Sequence, residues 1–236
     1  MTRPLMASKP VNFVRWHDAA RFVNWLSNGQ PEGIADESTT ETGTYNLGGL
    51  ARVVYYNEPR GDGIWALSSG SEFVKAGFYN GITNVYYPFA TQTGLNPEYG
   101  VGNLTSALSS GDYLFPGVNR VNYASLANWN GSTFGNVTTV GSCGEESQSP
   151  WGTLDQNGNV GEWTQQILCI ADMCGRAIRG GWYSSAPAGV TEDGWPIVNG
   201  LRLNFAPSST LDPDWSYAPP EEYYAPFVGF RVVRLN

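Results

Sequence analysis

Apolar positions recur along this chain with a helical period in one place only before residue 60. Ala19, Phe22, Val23 and Leu26 follow the i, i+3, i+4, i+7 spacing that puts apolar side chains on one helix face, and Gly29 and Pro31 then end the pattern. From Gln30 to Gly63 the chain is polar and broken by glycine. Tyr45-Asn-Leu47 and Arg52-Val-Val-Tyr-Tyr56 are its short strand candidates. Ser69-Gly-Ser-Glu72 has the form of a capping box, in which a hydroxyl and a carboxylate satisfy the first free N–H groups of a helix. It predicts a second short helix through Tyr79, ended by Gly81. The stretch from Tyr86 to Asn119 reads as irregular loop pinned by Tyr86, Tyr87, Phe89, Tyr113 and Phe115. A hydrophobic strand from Trp163 to Ile170 and a second from Ala177 to Trp182 predict a hairpin. After Trp182, aromatic residues are spaced by Pro, Gly, Ser and Asp with neither helical nor strand periodicity.

Composition narrows the class. The chain has 236 residues, 41% hydrophobic and 14% aromatic, enough to bury a large core as one domain spanning 1–236. Charged residues make up only 14%, against 29 glycines and 15 prolines, a balance typical of a loop-rich fold and not of a helical bundle. The net charge of -8 argues against binding a phosphate backbone, which needs clustered basic residues; Lys9 and Lys75 are the only lysines. Nucleic acid is excluded as a partner on these grounds. No apolar run approaches a membrane span, so membrane insertion is not expected, and the first ten residues lack the apolar core of a signal peptide.

The chemistry concentrates in Trp151-Gly-Thr-Leu-Asp-Gln-Asn-Gly-Asn-Val-Gly-Glu-Trp163. Asn157-Gly158 signals a tight turn with positive φ, and Asp155 and Glu162 flank it. Two carboxylates with inward-facing carbonyls, and no Cys or His in the loop, suit a hard cation such as calcium better than zinc. The alternative is a plain hairpin with Asn-Gly at its tip and both carboxylates solvated. His17 is the only histidine, so neither a His-based acid–base pair nor a multi-His metal site can be built within one chain; a structural role is expected for it.

Leu154-Asp-Gln-Asn-Gly-Asn-Val-Gly-Glu-Trp163, Arg179-Gly-Gly-Trp182 and the closing Val228-Gly-Phe-Arg-Val-Val233 together resemble the formylglycine-generating enzyme (sulfatase-modifying factor) family. Pro10 to Leu26 resembles that family's first helix, so the likeness runs over nearly the whole chain. It implies an α+β, C-type-lectin-like, loop-rich fold with two short helices and twisted antiparallel strands. It also implies that family members carry additional N-terminal strands before the counterpart of Pro10, which suggests a fragment, a processed product or a shortened member. By the same resemblance, calcium would be held by the side chains of Asp155 and Glu162 and the carbonyls of Gly158 and Val160. A second calcium would involve Asn122 and Tyr123, with Ser132 standing where the family has an aspartate; a neutral hydroxyl there weakens the attraction for a divalent ion. Ile64-Trp-Ala-Leu-Ser-Ser-Gly-Ser-Glu-Phe73 departs from the family's Arg-Leu-Pro-Thr-Glu-x-Glu-Trp and loses its arginine, proline and first glutamate.

The cysteines decide between two functional classes. Catalytic members of the resembled family hold copper(I) with a cysteine pair after the Arg-Gly-Gly strand, whereas Trp182 to Trp195 contains no cysteine here. Cys169 and Cys174 lie instead at the tip of the expected hairpin, where a local disulfide is the first reading and a displaced thiolate pair for a soft ion is the second. Cys143 is left over.

The expectation is therefore a noncatalytic, calcium-stabilised recognition or structural module. It would present Trp195, Asn199, Trp215, Tyr217 and Tyr223 to a protein or glycan ligand or to a neighbouring copy, at an extracellular, cell or virion surface. Tyr, Trp, Ser, Gly and Asn are the vocabulary of recognition loops. The alternative is an oxidase of the formylglycine-generating type, or a related metal-dependent oxidoreductase, using Cys169 and Cys174.

Overall fold

The computed structural model describes residues 6–48, 65–87, 89–91, 111–113, 116–123, 125, 127, 129–170, 173–185, 187–190, 196–198, 216–218 and 225–235; for 168–170, 173–175, 187–190, 196–198 and 216–218 the backbone alone is described. Arg52–Tyr56, Phe115, Trp195, Asn199, Trp215 and Tyr223 lie outside the described residues.

The first helix, α1 (Trp16–Ser27), opens with the N–H of its N-cap Arg15 donating to the Asp18 carboxylate at 3.1 Å. Its buried stripe is Trp16, Ala19, Ala20 and Val23. Of the expected stripe Ala19 and Val23 are buried and Leu26 is half-buried, but Phe22 is exposed and lays its ring against Trp25 and Phe230, while Trp16 turns inward. Strand β1 (Trp65–Leu67) follows, and then α2 (Gly70–Phe78), whose N-cap Ser69 accepts from the Glu72 N–H while Glu72 accepts from the Ser69 N–H. The helix stops at Phe78, a residue short of the expected Tyr79, which instead begins a small hairpin of β2 (Tyr79–Asn80) and β3 (Val85–Tyr86). Tyr45 and Leu47 form no strand but are buried in the core beside α1.

The central sheet is built on the hairpin of β4 (Gly161–Ile170) and β5 (Met173–Arg179). Strand β8 (Ser216–Ala218) pairs with β5, and β9 (Val228–Phe230) pairs with β4, giving the order β8-β5-β4-β9. The β4–β9 pairing is parallel, so this sheet is mixed and not purely antiparallel as expected. Two smaller antiparallel pairs join β1 to β10 (Val232–Arg234) and β6 (Pro187–Val190) to β7 (Pro196–Val198).

Two tryptophans lock α1 to this sheet from opposite sides of the contact. The Trp16 indole N–H donates to the Thr164 carbonyl at 3.0 Å, and the Trp163 indole N–H donates to the Val14 carbonyl at 2.9 Å. Both rings are buried in one core with Ala19, Ala20, Val23, Tyr45, Leu67, Ile178 and Val228. A buried indole without a partner would cost the desolvation of its N–H, so each bond removes a penalty as well as fixing an orientation. His17 is buried on the same helix, edge-on to the Trp16 ring. The Arg176 guanidinium stacks 3.9 Å from the Trp16 ring centroid, and burial lowers its pKa to about 10. The result is a loop-rich α+β fold with two α-helices among the described residues. No helix among them is long and apolar enough to cross a membrane.

Candidate functional site

The loop from Trp151 to Val160 leads straight into β4, and its carboxylates are not at a hairpin tip. Asn157 and Gly158 are buried, which overturns the plain-hairpin alternative. Every side of the loop is tied down. The Gln156 amide donates to the Phe73 carbonyl at 3.2 Å, the Asn157 Oδ1 accepts from the Ala90 N–H at 2.6 Å, and the Gly158 N–H donates to the Gly180 carbonyl at 2.7 Å. Asp155, Gly158 and Asn159 have φ of 57°, 71° and 60°, so the positive-φ expectation for Asn-Gly holds at the glycine, while Asn159 and Asp155 take the other two positions. A Cβ at Gly158 would lie 2.2 Å from the Asn122 carbonyl oxygen, so only glycine allows this approach.

Glu162 is 3% exposed and faces a partner that the sequence reading did not identify. The Arg231 Nη2 donates to one Glu162 carboxylate oxygen at 2.7 Å, Nε lies 3.1 and 3.0 Å from the two oxygens, and Nη2 also donates to the Leu154 carbonyl at 2.8 Å. The arginine thus joins both ends of the loop through charge-assisted bonds. Its position in Val228-Gly-Phe-Arg231, one residue past β9, was the available signal, because β9 pairs with β4 at Glu162.

Asp155 lies in the same neighbourhood. Its Oδ2 accepts from the Gly141 N–H at 2.7 Å, and its Oδ1 sits 3.7 Å from the Cys143 sulfur. Burial pushes its pKa up, opposed by the Gly141 N–H and by Arg231. Burial and the Asp155 carboxylate push the Cys143 thiol well above its ordinary value, which makes it an inert buried thiol and not a nucleophile. Two carboxyl groups share this region with one guanidinium, so full ionisation leaves a negative charge unmatched. The calcium expected at Asp155, Glu162 and the carbonyls of Gly158 and Val160 would have to share these carboxylates with Arg231 and the Gly141 N–H, which already bond to them. Among the described residues no cluster of three or more His, Cys, Asp or Glu side chains is present, so such a site depends on backbone carbonyls.

Asn122 and Tyr123 are both buried directly behind this loop. The Asn122 carbonyl accepts from the Asn159 N–H at 2.8 Å, and its side-chain amide donates to the Asn136 carbonyl at 2.9 Å and to Asn159 Oδ1 at 3.3 Å. Its Oδ1 is buried without a hydrogen-bond partner. Ser132 is not opposite Asn122: its hydroxyl accepts from the Phe134 N–H in a local turn, and Asn136 and Thr138 meet Asn122 instead.

Cys169 and Cys174 are direct partners in the β4–β5 register, beside the hairpin tip; their side chains lie outside the described residues. Tyr217 is the register partner of Ala177, with its side chain likewise outside. The stretch after Trp182 begins and ends at one point, since the Trp182 and Phe227 rings stack at 4.6 Å with 20° between their planes.

The sulfatase-modifying factor enzyme 1-like domain model matches residues 2–236, and the chain belongs to that family. Among solved structures it is similar to Treponema denticola variable protein 1, at 17% identity and a TM-score of 0.49, covering 95% of this chain and 70% of that one. It is also similar to CarF, at 18% identity and a TM-score of 0.50, covering 96% of this chain and 67% of that one; likeness at this level bears on the fold. No curated protein gives a significant match.

Proposed function

We propose that this chain is a noncatalytic, calcium-stabilised recognition or structural module of its family, presenting the stretch between Trp182 and Phe227 to a protein or glycan partner at an extracellular, cell or virion surface. The stacked pair of Trp182 and Phe227 carries the reading. It closes the base of the stretch, which also joins the central sheet where β8 pairs with β5, so the segments rich in Tyr, Trp, Asn and Ser between these anchors are carried by a rigid framework. Copper chemistry of the family's catalytic type finds little support: Trp182 to Trp195 has no cysteine, and Cys143 is buried against Asp155.

The test is a single-site scan of Trp195, Trp215, Tyr217 and Tyr223 to Ala, read by thermal melting and by binding on glycan and surface-protein arrays. Binding should fall about thirtyfold or more at a hot spot while melting holds. Unfolding by all four substitutions, or unchanged binding, overturns the reading. Copper retained stoichiometrically, and only while Cys169 and Cys174 are reduced thiols, supports the oxidase alternative instead.

A further inference from the structure

A second surface feature lies on the β2–β3 side of the molecule, apart in sequence from the 182–227 stretch and independent of the reading above. An open groove of about 570 Å³ is lined by Asn80, Gly81, Ile82, Gln148, Ser149, Pro150, Trp151 and Gly152, within the size range of small-ligand pockets. No lining residue is charged. At its centre Trp151 is 56% exposed, an unusual state for a residue that is normally highly buried.

The ring is held and not merely loose. The Ser149 hydroxyl donates to the Ala76 carbonyl at the end of α2 and accepts from the Trp151 and Thr153 N–H groups, so the turn that carries Trp151 is bolted to a helix. The Gly152 N–H closes that turn onto the Ser149 carbonyl at 2.9 Å. On the other wall a Cβ at Gly81 would lie 3.1 Å from Trp151 Cζ2, so the glycine lets the indole edge seat against the hairpin backbone.

The polar groups divide sharply. Asn80 is spent on the fold, donating to the Tyr87 hydroxyl and accepting from the Ile82 N–H, and Ser149 is spent as described. Among the described residues the side-chain amide of Gln148 and the indole N–H of Trp151 have no protein partner. What is presented is one preorganised aromatic face flanked by an amide that both donates and accepts. The Tyr79 and Tyr86 rings nearby pack on each other at 4.9 Å, so they do not add the second free ring that a proline-rich peptide groove uses.

We propose that this groove binds a neutral pyranose residue of a glycan, its C–H face stacked on Trp151 and adjacent hydroxyls paired with the Gln148 amide. An uncharged lining matches an uncharged ligand, a flat aromatic face matches the apolar face of a sugar ring, and a donor–acceptor amide matches hydroxyls that do both.

Saturation-transfer NMR with the methyl glycosides of glucose, galactose, mannose and N-acetylglucosamine tests this on the intact chain. At least one glycoside should give saturable transfer, Trp151→Ala should weaken it by about tenfold or more, and Gln148→Ala by roughly threefold. Trp151→Phe should keep part of the affinity, and Phe134→Ala, at another exposed apolar site, should leave it unchanged. Because Trp151 is exposed, melting should be the same in all four variants. No saturable transfer from any glycoside, or equal transfer in wild type and Trp151→Ala, overturns the proposal; so does preferential binding of a proline-rich peptide at Trp151.

Discussion

Arg231 and Glu162, 69 residues apart in the chain, meet through a guanidinium that reaches both carboxylate oxygens within 3.1 Å. The parallel pairing of β9 with β4 creates the encounter by setting Gly229 opposite Glu162, two residues before the arginine. Removing the arginine leaves the buried Glu162 carboxylate without its cation, but the Arg231 end is about one-third exposed and partly screened, so Arg231→Met should cost about 2 to 3 kcal/mol in urea unfolding. Arg231→Lys should recover only part of this, because an ammonium cannot reproduce the forked contact with Glu162 and the Leu154 carbonyl. A loss below about 1 kcal/mol would show that the pair is merely solvated.

Calcium makes a separate prediction at the same loop. If the ion neutralises the charge left over by Asp155, Glu162 and Arg231, chelation should lower the melting temperature, and added calcium at a hundredfold over its dissociation constant should restore about 2.7 kcal/mol. Asp155→Asn should abolish the response to calcium. Melting that ignores both chelator and calcium would leave Arg231 as the loop's whole cation supply.

How far the sequence could be read depended on the reach of each signal. The Ser69–Glu72 capping box spans four residues, and its start is where the helix starts. In α1 the expected Ala19 and Val23 are buried, but Phe22, which looks like a core residue from its own neighbours, is exposed. Only the docking of Trp16 onto Thr164, across 148 residues, turns that helix face outward. Asn157-Gly158 was legible as a positive-φ site but not as a buried one, since burial comes from α2 and from Ala90 closing over it. Arg231 was visible as part of a motif; its ion pair was not, because it depends on a strand pairing that no local pattern encodes. Ser132 was placed opposite Asn122 by the family resemblance, whereas Asn136 and Thr138 are brought to Asn122 by the path of the backbone between them.

The three cysteines should separate into a pair and a single. The register places Cys169 opposite Cys174, so oxidised protein cleaved before Asp155 and Asp172 should leave the Cys169 and Cys174 peptides bridged and Cys143 on a separate peptide as a free thiol. The closed loop is short, so reduction should cost at most about 2 to 3 kcal/mol. Cys143 is 2% exposed and should react with an aromatic disulfide reagent only as fast as the protein unfolds. Rapid labelling of Cys143 in native protein, or its appearance in a bridge, contradicts this arrangement.

Two glycines with nearly the same backbone conformation give a controlled comparison of conformational strain with collision. Gly29 has φ of 82° and open space where a Cβ would stand, so Gly29→Ala should cost only the left-handed penalty of roughly 1 to 2 kcal/mol. Gly158 has φ of 71°, but its Cβ would come within 2.2 Å of the Asn122 carbonyl oxygen and 2.7 Å of Val121. Neither neighbour can retreat easily. The Asn122 carbonyl accepts from the Asn159 N–H at 2.8 Å, so moving it breaks a buried bond as well as shifting backbone. Gly158→Ala should therefore lose at least about 3 kcal/mol more than Gly29→Ala in urea unfolding, a margin that points to a steric mechanism and not to chain entropy. It should also blunt any calcium response, because the displaced carbonyl of residue 158 belongs to the proposed ligand set. Equal losses at the two glycines would mean that the loop can relax around a methyl group, and the tight seat of residue 158 on Asn122 would no longer explain why glycine stands there.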